Sequence, residues 1–139
     1  MTAPSNVHLA REAGRRSMAA ASAKNKDEWL ALFRSDALIE DPVGVSPLDD
    51  TGRGHRGTDE ISAFYDKTVA ATDSLRFDIR DSFACGNEVA NVGVIVTEIG
   101  GYVMESEGVF VYRVDEYGLI ASLRAFWEFD RAMATMRPA

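Results

Sequence analysis

The fold of this chain is decided by residues 75–129, which read LRFDIRDSFACGNEVANVGVIVTEIGGYVMESEGVFVYRVDEYGLIASLRAFWEF. Apolar and polar residues alternate along most of this stretch, and a period of two is typical of β-strands. Three interruptions contain residues that favour tight hairpin turns: Gly86-Asn87, Gly100-Gly101 and Asp115–Gly118. The stretch therefore predicts an antiparallel meander of four strands, at Leu75–Cys85, Val89–Ile99, Tyr102–Val114 and Leu119–Phe129.

The residues before the meander predict three helices, because their apolar side chains recur at helical spacing. The helices run from a cap at Ser5 or Asn6 to about Ala23, from Lys26 to about Arg34, and from Thr58 through Val69. A short strand, Ala37–Asp41, and a long loop, Val43–Gly57, separate the second helix from the third. Residues 130–136 are expected to form one loose helical turn or to fray.

Helices followed by a long meander predict an α+β fold, with three N-terminal helices packed on a strongly curved, mixed or antiparallel sheet. Strands of about ten residues twist and curl, so we expect a cone with an internal apolar pocket. The other face of the sheet would carry the valines at positions 92, 94, 96, 109 and 111. Such a patch is larger than monomers usually expose, which predicts a homodimer through this face.

The composition excludes several classes of protein. The chain has 139 residues, 46% of them apolar, which suits one domain spanning 1–139. Its 22 acidic and 15 basic residues give a net charge of −7, which disfavours nucleic acid and anionic membranes as partners. A lone cysteine, Cys85, and no Cys/His cluster predict neither a disulfide nor a metal site. With no signal peptide and no membrane-spanning apolar run, we expect a cytoplasmic protein without membrane insertion.

Asp41 is the most informative candidate for chemistry. Strand alternation places Asp41 on the same face as Ala37 and Ile39, so a carboxylate ends an apolar face. One interpretation is a turn aspartate that hydrogen-bonds the backbone before Pro42. The other is a general base at a pocket mouth, since apolar walls disfavour the ionised form and raise the pKa of a carboxyl group.

The loop at residues 52–57 reads Gly-Arg-Gly-His-Arg-Gly and matches the G-x-G-x-x-G pattern of dinucleotide-binding sites. That pattern requires a preceding buried strand within a parallel βαβ unit, whereas this loop follows Pro47-Leu48-Asp49-Asp50. We therefore expect a surface loop, with Arg53, His55 and Arg56 near the pocket rim, and no nucleotide cofactor.

Four segments together resemble one known family: Ile39-Glu40-Asp41-Pro42-Val43-Gly44, Ile61–Tyr65, Tyr112–Ile120 and Ala125–Trp127. They are similar to the bacterial Δ5-3-ketosteroid isomerases, which belong with nuclear transport factor 2 (NTF2)-like and SnoaL-like proteins. The resemblance covers nearly the whole chain, with extra residues in the Leu48–Arg56 loop. It implies an NTF2-like, cystatin-like α+β barrel, a homodimer and no cofactor.

The resemblance also implies roles for individual residues. Asp41 matches the base that moves a proton between two carbons of a steroid enone, Tyr65 a supporting tyrosine, and Trp127 a wall of the steroid pocket. The two positions that hold the intermediate's oxyanion carry Ser17 and Phe110 here, and Phe33 replaces a second supporting tyrosine. Serine is a weaker donor than a phenol and phenylalanine donates nothing, so we expect inefficient isomerisation.

Three functions follow as hypotheses. The first is proton transfer next to the carbonyl of a steroid-like apolar ketone, with Asp41 as general base. The second is a non-catalytic binding protein for a steroid-like or polyketide-like hydrophobic ligand, contacted by Tyr65, Trp127, Phe110, Ser17 and Phe33. The third is aldol cyclisation, dehydration or epoxide opening, which needs a His or an Arg–Asp pair in the pocket that the sequence does not locate.

Overall fold

The computed structural model describes residues 8–139. In chain order the elements are α1 (Leu9–Ser22), α2 (Lys26–Ala31), β1 (Phe33–Glu40), β2 (His55–Arg56), α3 (Thr58–Thr68), β3 (Ser74–Cys85), β4 (Glu88–Ile99), β5 (Tyr102–Val114), β6 (Ile120–Trp127), α4 (Phe129–Met133) and β7 (Arg137–Pro138). This is the expected α+β fold, and the four meander strands lie within two residues of their predicted bounds.

One mixed sheet connects all the strands in the order β2-β1-β6-β5-β4-β3, with β7 paired to β5. The hairpins from β3 to β6 are antiparallel, whereas β1 and β6 are parallel. The parallel pairing brings the end of β1 beside β6, because Glu40 is in register with Arg124. Asp41 therefore emerges next to the last residues of β6.

Glycines and a bulge bend the sheet strongly. Gly93 of β4 and Gly108 of β5 are cross-strand partners. A Cβ at Gly93 would stand 2.2 Å from the carbonyl oxygen of Asp78, and one at Gly108 would stand 2.1 Å from that of Phe126. The register of β3 against β4 also shifts between Ile79 and Asp81. The absence of side chains at the bend lets neighbouring backbones approach and the sheet curl.

The helices lie against the inner face of the curled sheet, which we define as the face that carries Phe77, Phe110, Tyr112 and Leu123. Small residues form the buried stripe of α1, namely Ala10, Ala13, Gly14, Ser17, Ala20 and Ala21, so the helix axis approaches the sheet closely. The core beneath the helices includes Ile39, Ile61 and Ile120, each no more than 1% exposed.

Helix α2 is shorter than predicted. The interval from Lys26 to Arg34 was expected to be helical, yet the helix ends at Ala31 and β1 begins at Phe33. The amide of Ile120 donates to the carbonyl of Leu32, and Phe33 pairs with Ile120 in β6. Strand pairing with a segment far along the chain therefore overrides the local helical pattern, and β1 is longer than the predicted Ala37–Asp41 strand.

The two ends of the described chain also differ from expectation. His8 is the N-cap of α1, and its Nδ1 accepts from the amide of Ala10 at 3.2 Å, whereas the predicted caps Ser5 and Asn6 lie outside the described residues. The C-terminal segment forms the expected helical turn, as α4, and then the short strand β7, which was not predicted. Arg137 anchors that segment through an ion pair with Glu105 at 2.8 Å.

The outer face of the sheet, opposite the helices, carries the predicted apolar patch. We define the valine face as Val92, Val94, Val96, Val109, Val111 and Phe126, of which Val92, Val109 and Phe126 form one row across β4, β5 and β6. All six are partly or largely exposed, with Phe126 at 43%. Within residues 8–139, none of the helices has the length and apolar character to cross a membrane.

Candidate active site

A cavity of about 370 Å³ lies between the inner face of the sheet and the helices. Its wall is mostly apolar, with contributions from Trp29, Phe64, Leu75, Phe77, Ile95, Met104, Phe110 and Leu123. Phe129, Met133 and Met136 of the C-terminal segment and Leu48 of the long loop also reach it. The volume is within the range of small-molecule sites, and few polar groups interrupt the apolar wall.

Asp41 is the acidic residue on this wall among the described residues. Its Oδ1 accepts a hydrogen bond of 2.7 Å from Nε1 of Trp127, across the parallel pairing of β1 and β6. The residue as a whole is half-buried because it opens on the cavity. Desolvation of its carboxyl group raises the pKa of Asp41 above the ordinary 3.8, and the Trp127 hydrogen bond and the charge of His55 offset only part of that rise.

His55 lies close enough to this site for its charge to act on Asp41. It lies on β2, in register with Ile39, and its ring packs on Phe64 with a centroid distance of 4.9 Å. The charge of its imidazolium form acts on Asp41 and lowers the pKa of that carboxyl group slightly. The predicted place of His55 near the pocket rim is consistent with this position, although its ring does not line the cavity.

Tyr112 is a second polar group of the site, and sequence reasoning did not assign it a role. It lies on β5, is 3% exposed and lines the cavity together with Ser17 of α1. The two hydroxyl oxygens are 3.5 Å apart, and Tyr112 donates. Burial raises the pKa of Tyr112, and the nearby charge of Asp41 raises it further, so the phenol stays protonated.

The predicted site residues fall into two groups. Asp41, Ser17, Phe110 and Trp127 all line the cavity. Tyr65 and Phe33 do not; they pack on Trp29, at ring distances of 5.1 Å and 4.6 Å, and Trp29 is the ring that reaches the cavity.

Tyr65 has a further peculiarity. Its hydroxyl is buried without a hydrogen-bond partner among the described residues, and burial raises its pKa. Tyr65 is therefore not linked to the cavity by a chain of hydrogen bonds among the described residues. Its aromatic ring instead stabilises Trp29.

The glycine-rich loop at residues 52–57 is held by a carboxylate of the same chain. The carboxylate of Asp49 accepts from the amides of Thr51 and Gly52, both at 3.2 Å, and from the amide of Gly54 at 2.8 Å. These converging amides and the Thr51 hydroxyl lower the pKa of Asp49. Backbone amides of the kind that cradle a phosphate in nucleotide sites are thus occupied here by the chain's own carboxylate. The loop folds on Asp49 and brings Leu48 to the cavity wall.

No group of three or more His, Cys, Asp or Glu side chains within residues 8–139 has the arrangement of a metal site. Among the polar groups on the cavity wall, Asp41 accepts a hydrogen bond from Trp127, and Tyr112 donates one to Ser17. One desolvated carboxylate in an apolar cavity can accept and return a proton.

The fold and site together define a class: α+β cones that enclose an apolar cavity with a desolvated carboxylate on its wall. The chain belongs to the family described as the SnoaL-like domain, whose model matches residues 15–123. No curated protein matches the sequence.

Solved structures agree with this assignment. A Δ5-3-ketosteroid isomerase from Mycobacterium sp. is 32% identical, with 96% of this chain and 100% of that chain covered and a TM-score of 0.85. RV0760c from Mycobacterium tuberculosis in complex with estradiol-17beta-hemisuccinate is 33% identical, with 94% and 99% covered and a TM-score of 0.84. A computationally designed 17-OHP binder is 31% identical, with 94% and 97% covered and a TM-score of 0.85. The expected resemblance to ketosteroid isomerase-like proteins is confirmed.

Proposed function

We propose that this protein moves a proton between two carbons next to a carbonyl group in a flat apolar ketone of steroid size, with Asp41 as the general base. The observation that carries the proposal is the position of Asp41: its carboxylate is desolvated, faces an apolar cavity and is oriented by Trp127. A base of raised pKa removes a carbon-bound proton more readily than an ordinary aspartate.

In the proposed reaction the carboxylate of Asp41 takes a proton from the carbon next to the carbonyl, and the electrons of that C–H bond move onto the oxygen to form a dienolate. The carboxylic acid so formed returns the proton to another carbon of the conjugated system. The net change is the movement of one C=C bond, and no cofactor or external reductant takes part. Trp127 holds Oδ1 throughout, so the other carboxylate oxygen is free to shuttle the proton.

The size and lining of the cavity support a steroid-like ligand. A volume of about 370 Å³ suits a fused-ring molecule, and aromatic and aliphatic side chains form most of the wall. Two of the similar proteins are described with steroids, one as a complex with estradiol-17beta-hemisuccinate and one as a 17-OHP binder.

Replacement of the base tests the proposal directly. We expect Asp41→Asn to slow conversion of a Δ5-3-ketosteroid to its conjugated isomer by about 10²–10⁴-fold, the range typical of a lost general base. Formation of the conjugated enone is followed by ultraviolet absorbance. Asp59→Asn, an exposed aspartate in the first turn of α3, is the matched control and should leave the rate unchanged. Equal rates for Asp41→Asn and the unmodified protein would eliminate Asp41 as the base.

A non-catalytic binding protein is the second candidate, and one observation favours it. Phe110 is 3% exposed and occupies cavity wall at the position where the resemblance implies an oxyanion donor. Under this alternative, Asp41 and Trp127 orient a bound ligand without proton transfer. Tight binding of the same steroid with no conversion by the unmodified protein would select this function.

We also propose that two copies pair through the valine face. The row of Val92, Val109 and Phe126 places apolar side chains at the centre of the outer face. Salt-bridged side chains border it, with Arg124 over the ring of Phe126 at 5.2 Å and paired with Glu40 at 2.8 Å. An apolar centre with a charged rim is the usual arrangement of a protein–protein interface.

A further inference from the structure

Proton removal next to a carbonyl places negative charge on the carbonyl oxygen. In an apolar cavity this charge needs a preorganised hydrogen-bond donor, and loss of one such donor typically costs about 10²–10³ in rate. The positions that the resemblance assigns to the two donors carry Ser17 and Phe110. The side chain of Phe110 cannot donate a hydrogen bond. Another group on the wall must therefore supply it if Asp41 acts as a base.

Few hydroxyl or N–H groups of the wall are both buried and free to donate. Trp127 already gives its N–H to Asp41. Three hydroxyls on the wall are nearly inaccessible to bulk water: Ser17 at 2%, Ser106 at 3% and Tyr112 at 3% exposed. Tyr112 and Asp41 line the same cavity, and the charge of Asp41 contributes to the raised pKa of Tyr112. A phenol is also a more acidic, and hence stronger, donor than a serine hydroxyl.

The hydrogen bond that Tyr112 now makes is a weak one. Its hydroxyl oxygen is 3.5 Å from Oγ of Ser17, whereas an O–H···O bond is normally about 2.7–2.8 Å long. A donor held this loosely can turn to a stronger acceptor with little loss. Ser17 can then donate its own proton to the phenol oxygen, which strengthens the donation by Tyr112.

Helix α1 is shaped to hold the Tyr112 ring. Gly14 is buried in the interior of α1, where glycine costs about 1 kcal/mol relative to alanine. A Cβ at Gly14 would stand 2.9 Å from Cδ1 and 3.2 Å from Cε1 of Tyr112. The missing side chain therefore creates the space for the ring. Ser17, three residues later on the same helical face, meets the hydroxyl of that ring.

We infer that Tyr112 is the oxyanion donor of this site: its hydroxyl donates a hydrogen bond to the substrate oxygen as the dienolate forms, while Ser17 and Gly14 act as positioning residues. This inference rests on the proposed function, but it assigns the donor to strand β5 instead of helix α1. It replaces the expectation of inefficient isomerisation, because a phenol supplies the stabilisation that Ser17 and Phe110 lack.

The test measures oxyanion binding separately from turnover. The probe is 4-nitrophenolate, which carries an oxyanion on a flat ring, and nitrobenzene is the matched ligand without that oxygen. Both are titrated calorimetrically at a pH where the phenol is ionised, in the Asp41→Asn background so that no carboxylate repels the probe. We expect Tyr112→Phe to weaken 4-nitrophenolate binding by about 10–100-fold, the usual value of a hydrogen bond to a charged group, and to leave nitrobenzene binding unchanged.

Matched variants separate donation from a general structural effect. Tyr65→Phe also removes a buried phenol hydroxyl, but one that does not line the cavity, and should change neither ligand's affinity. Ser17→Ala should weaken 4-nitrophenolate alone, by about 2–10-fold, because it removes only the positioning hydrogen bond. Gly14→Ala should act in the same direction by displacing the ring. Circular dichroism confirms that each variant is folded.

The outcomes distinguish this inference from the proposed function. Unchanged 4-nitrophenolate affinity in Tyr112→Phe overturns the inference, even if Asp41→Asn abolishes turnover. An equal loss of affinity for 4-nitrophenolate and nitrobenzene also overturns the inference, because it indicates a disrupted cavity. A selective loss of 4-nitrophenolate supports the donor, and it does so even if Asp41→Asn leaves turnover intact and the proposed base is wrong.

Discussion

At the scale of single residues, the site depends on the position of Asp41, which directly follows strand β1. Ala37 and Ile39, at 0% exposure, point into the core, and Asp41 continues that face to the cavity wall. Glu40, one residue earlier, points to the other side and pairs with Arg124. The two adjacent acids therefore have opposite environments, and desolvation raises the pKa of Asp41. The same alternation that builds the strand therefore brings the proposed base to the cavity wall.

This desolvation predicts a pH-dependent stability. Because the native pKa of Asp41 lies above the ordinary 3.8, the native state binds this proton more tightly than the unfolded state does. The contribution of the Asp41 carboxyl group to the free energy of unfolding is therefore complete below pH 3.8. It is lost as the pH rises through the native pKa of Asp41. Asn cannot ionise, so we expect Asp41→Asn to become progressively more stable than the unmodified protein across this window.

Urea unfolding of both proteins between pH 3 and neutral pH measures the difference. The other carboxyl groups are common to both proteins and cancel in the comparison. A gap in the free energy of unfolding that does not change with pH would contradict the raised pKa of Asp41.

At the scale of elements, curvature decides whether a cavity exists. The paired glycines Gly93 and Gly108 stand where a Cβ would collide with a carbonyl oxygen of the neighbouring strand, and the shift in β3 near Ile79 adds to the bend. Beyond the bend, α4 and β7 return to β5, and Thr135 fixes them by accepting from the amide of Glu105 at 2.8 Å. Met133 and Met136 of this segment complete the wall.

The glycine pair gives a prediction at this scale. Gly108→Ala would place a Cβ 2.1 Å from the carbonyl oxygen of Phe126, which only a backbone shift can relieve. We expect a loss of about 2–3 kcal/mol in the free energy of unfolding, toward the upper end for single substitutions. Glu88→Ala, a change at an exposed position on the neighbouring strand β4, should cost less than about 0.5 kcal/mol. Equal, small effects in chemical denaturation would show that the sheet does not need the glycine.

At the scale of the whole molecule, the two faces of the sheet have different surroundings. The inner face, with α1 to α3, encloses the cavity, whereas the side chains of the valine face are partly or largely exposed. The apolar row of Val92, Val109 and Phe126 is therefore exposed in an isolated copy. Burial against a second copy would remove it from water without blocking the cavity.

A charge at the centre of the valine face tests the proposed dimer. Val109→Glu should weaken self-association by about 10²–10³-fold, because an uncompensated carboxylate buried in an interface costs about 3–5 kcal/mol. Sedimentation equilibrium gives the dissociation constant. Tyr117→Ser, in the exposed turn before β6 and away from this face, is the control. An unmodified protein that is monomeric at all concentrations, or a Val109→Glu dimer of unchanged affinity, would refute the interface.

The sequence by itself determined the properties that depend on local order. Period-two alternation and hairpin residues located the strands of the meander, and the strand ending in Asp41-Pro42 identified the carboxylate. The local apolar pattern gave the wrong secondary structure where pairing with a distant strand competes with it. Phe33, for example, belongs to β1 because it pairs with Ile120. The alternation of β5 already placed Tyr112 on the face of Phe110, but it did not show what that phenol meets.

Only the tertiary structure decided which side chains share the cavity. It brought Ser17 and Tyr112, 95 residues apart in sequence, to one hydroxyl pair, and it placed Tyr65 behind Trp29 instead of on the wall. The physical reason is that backbone periodicity assigns each side chain to a face of its own element. The distance between two such faces depends on how closely the elements pack, which here depends on Gly14 of α1 and the glycine-bent sheet.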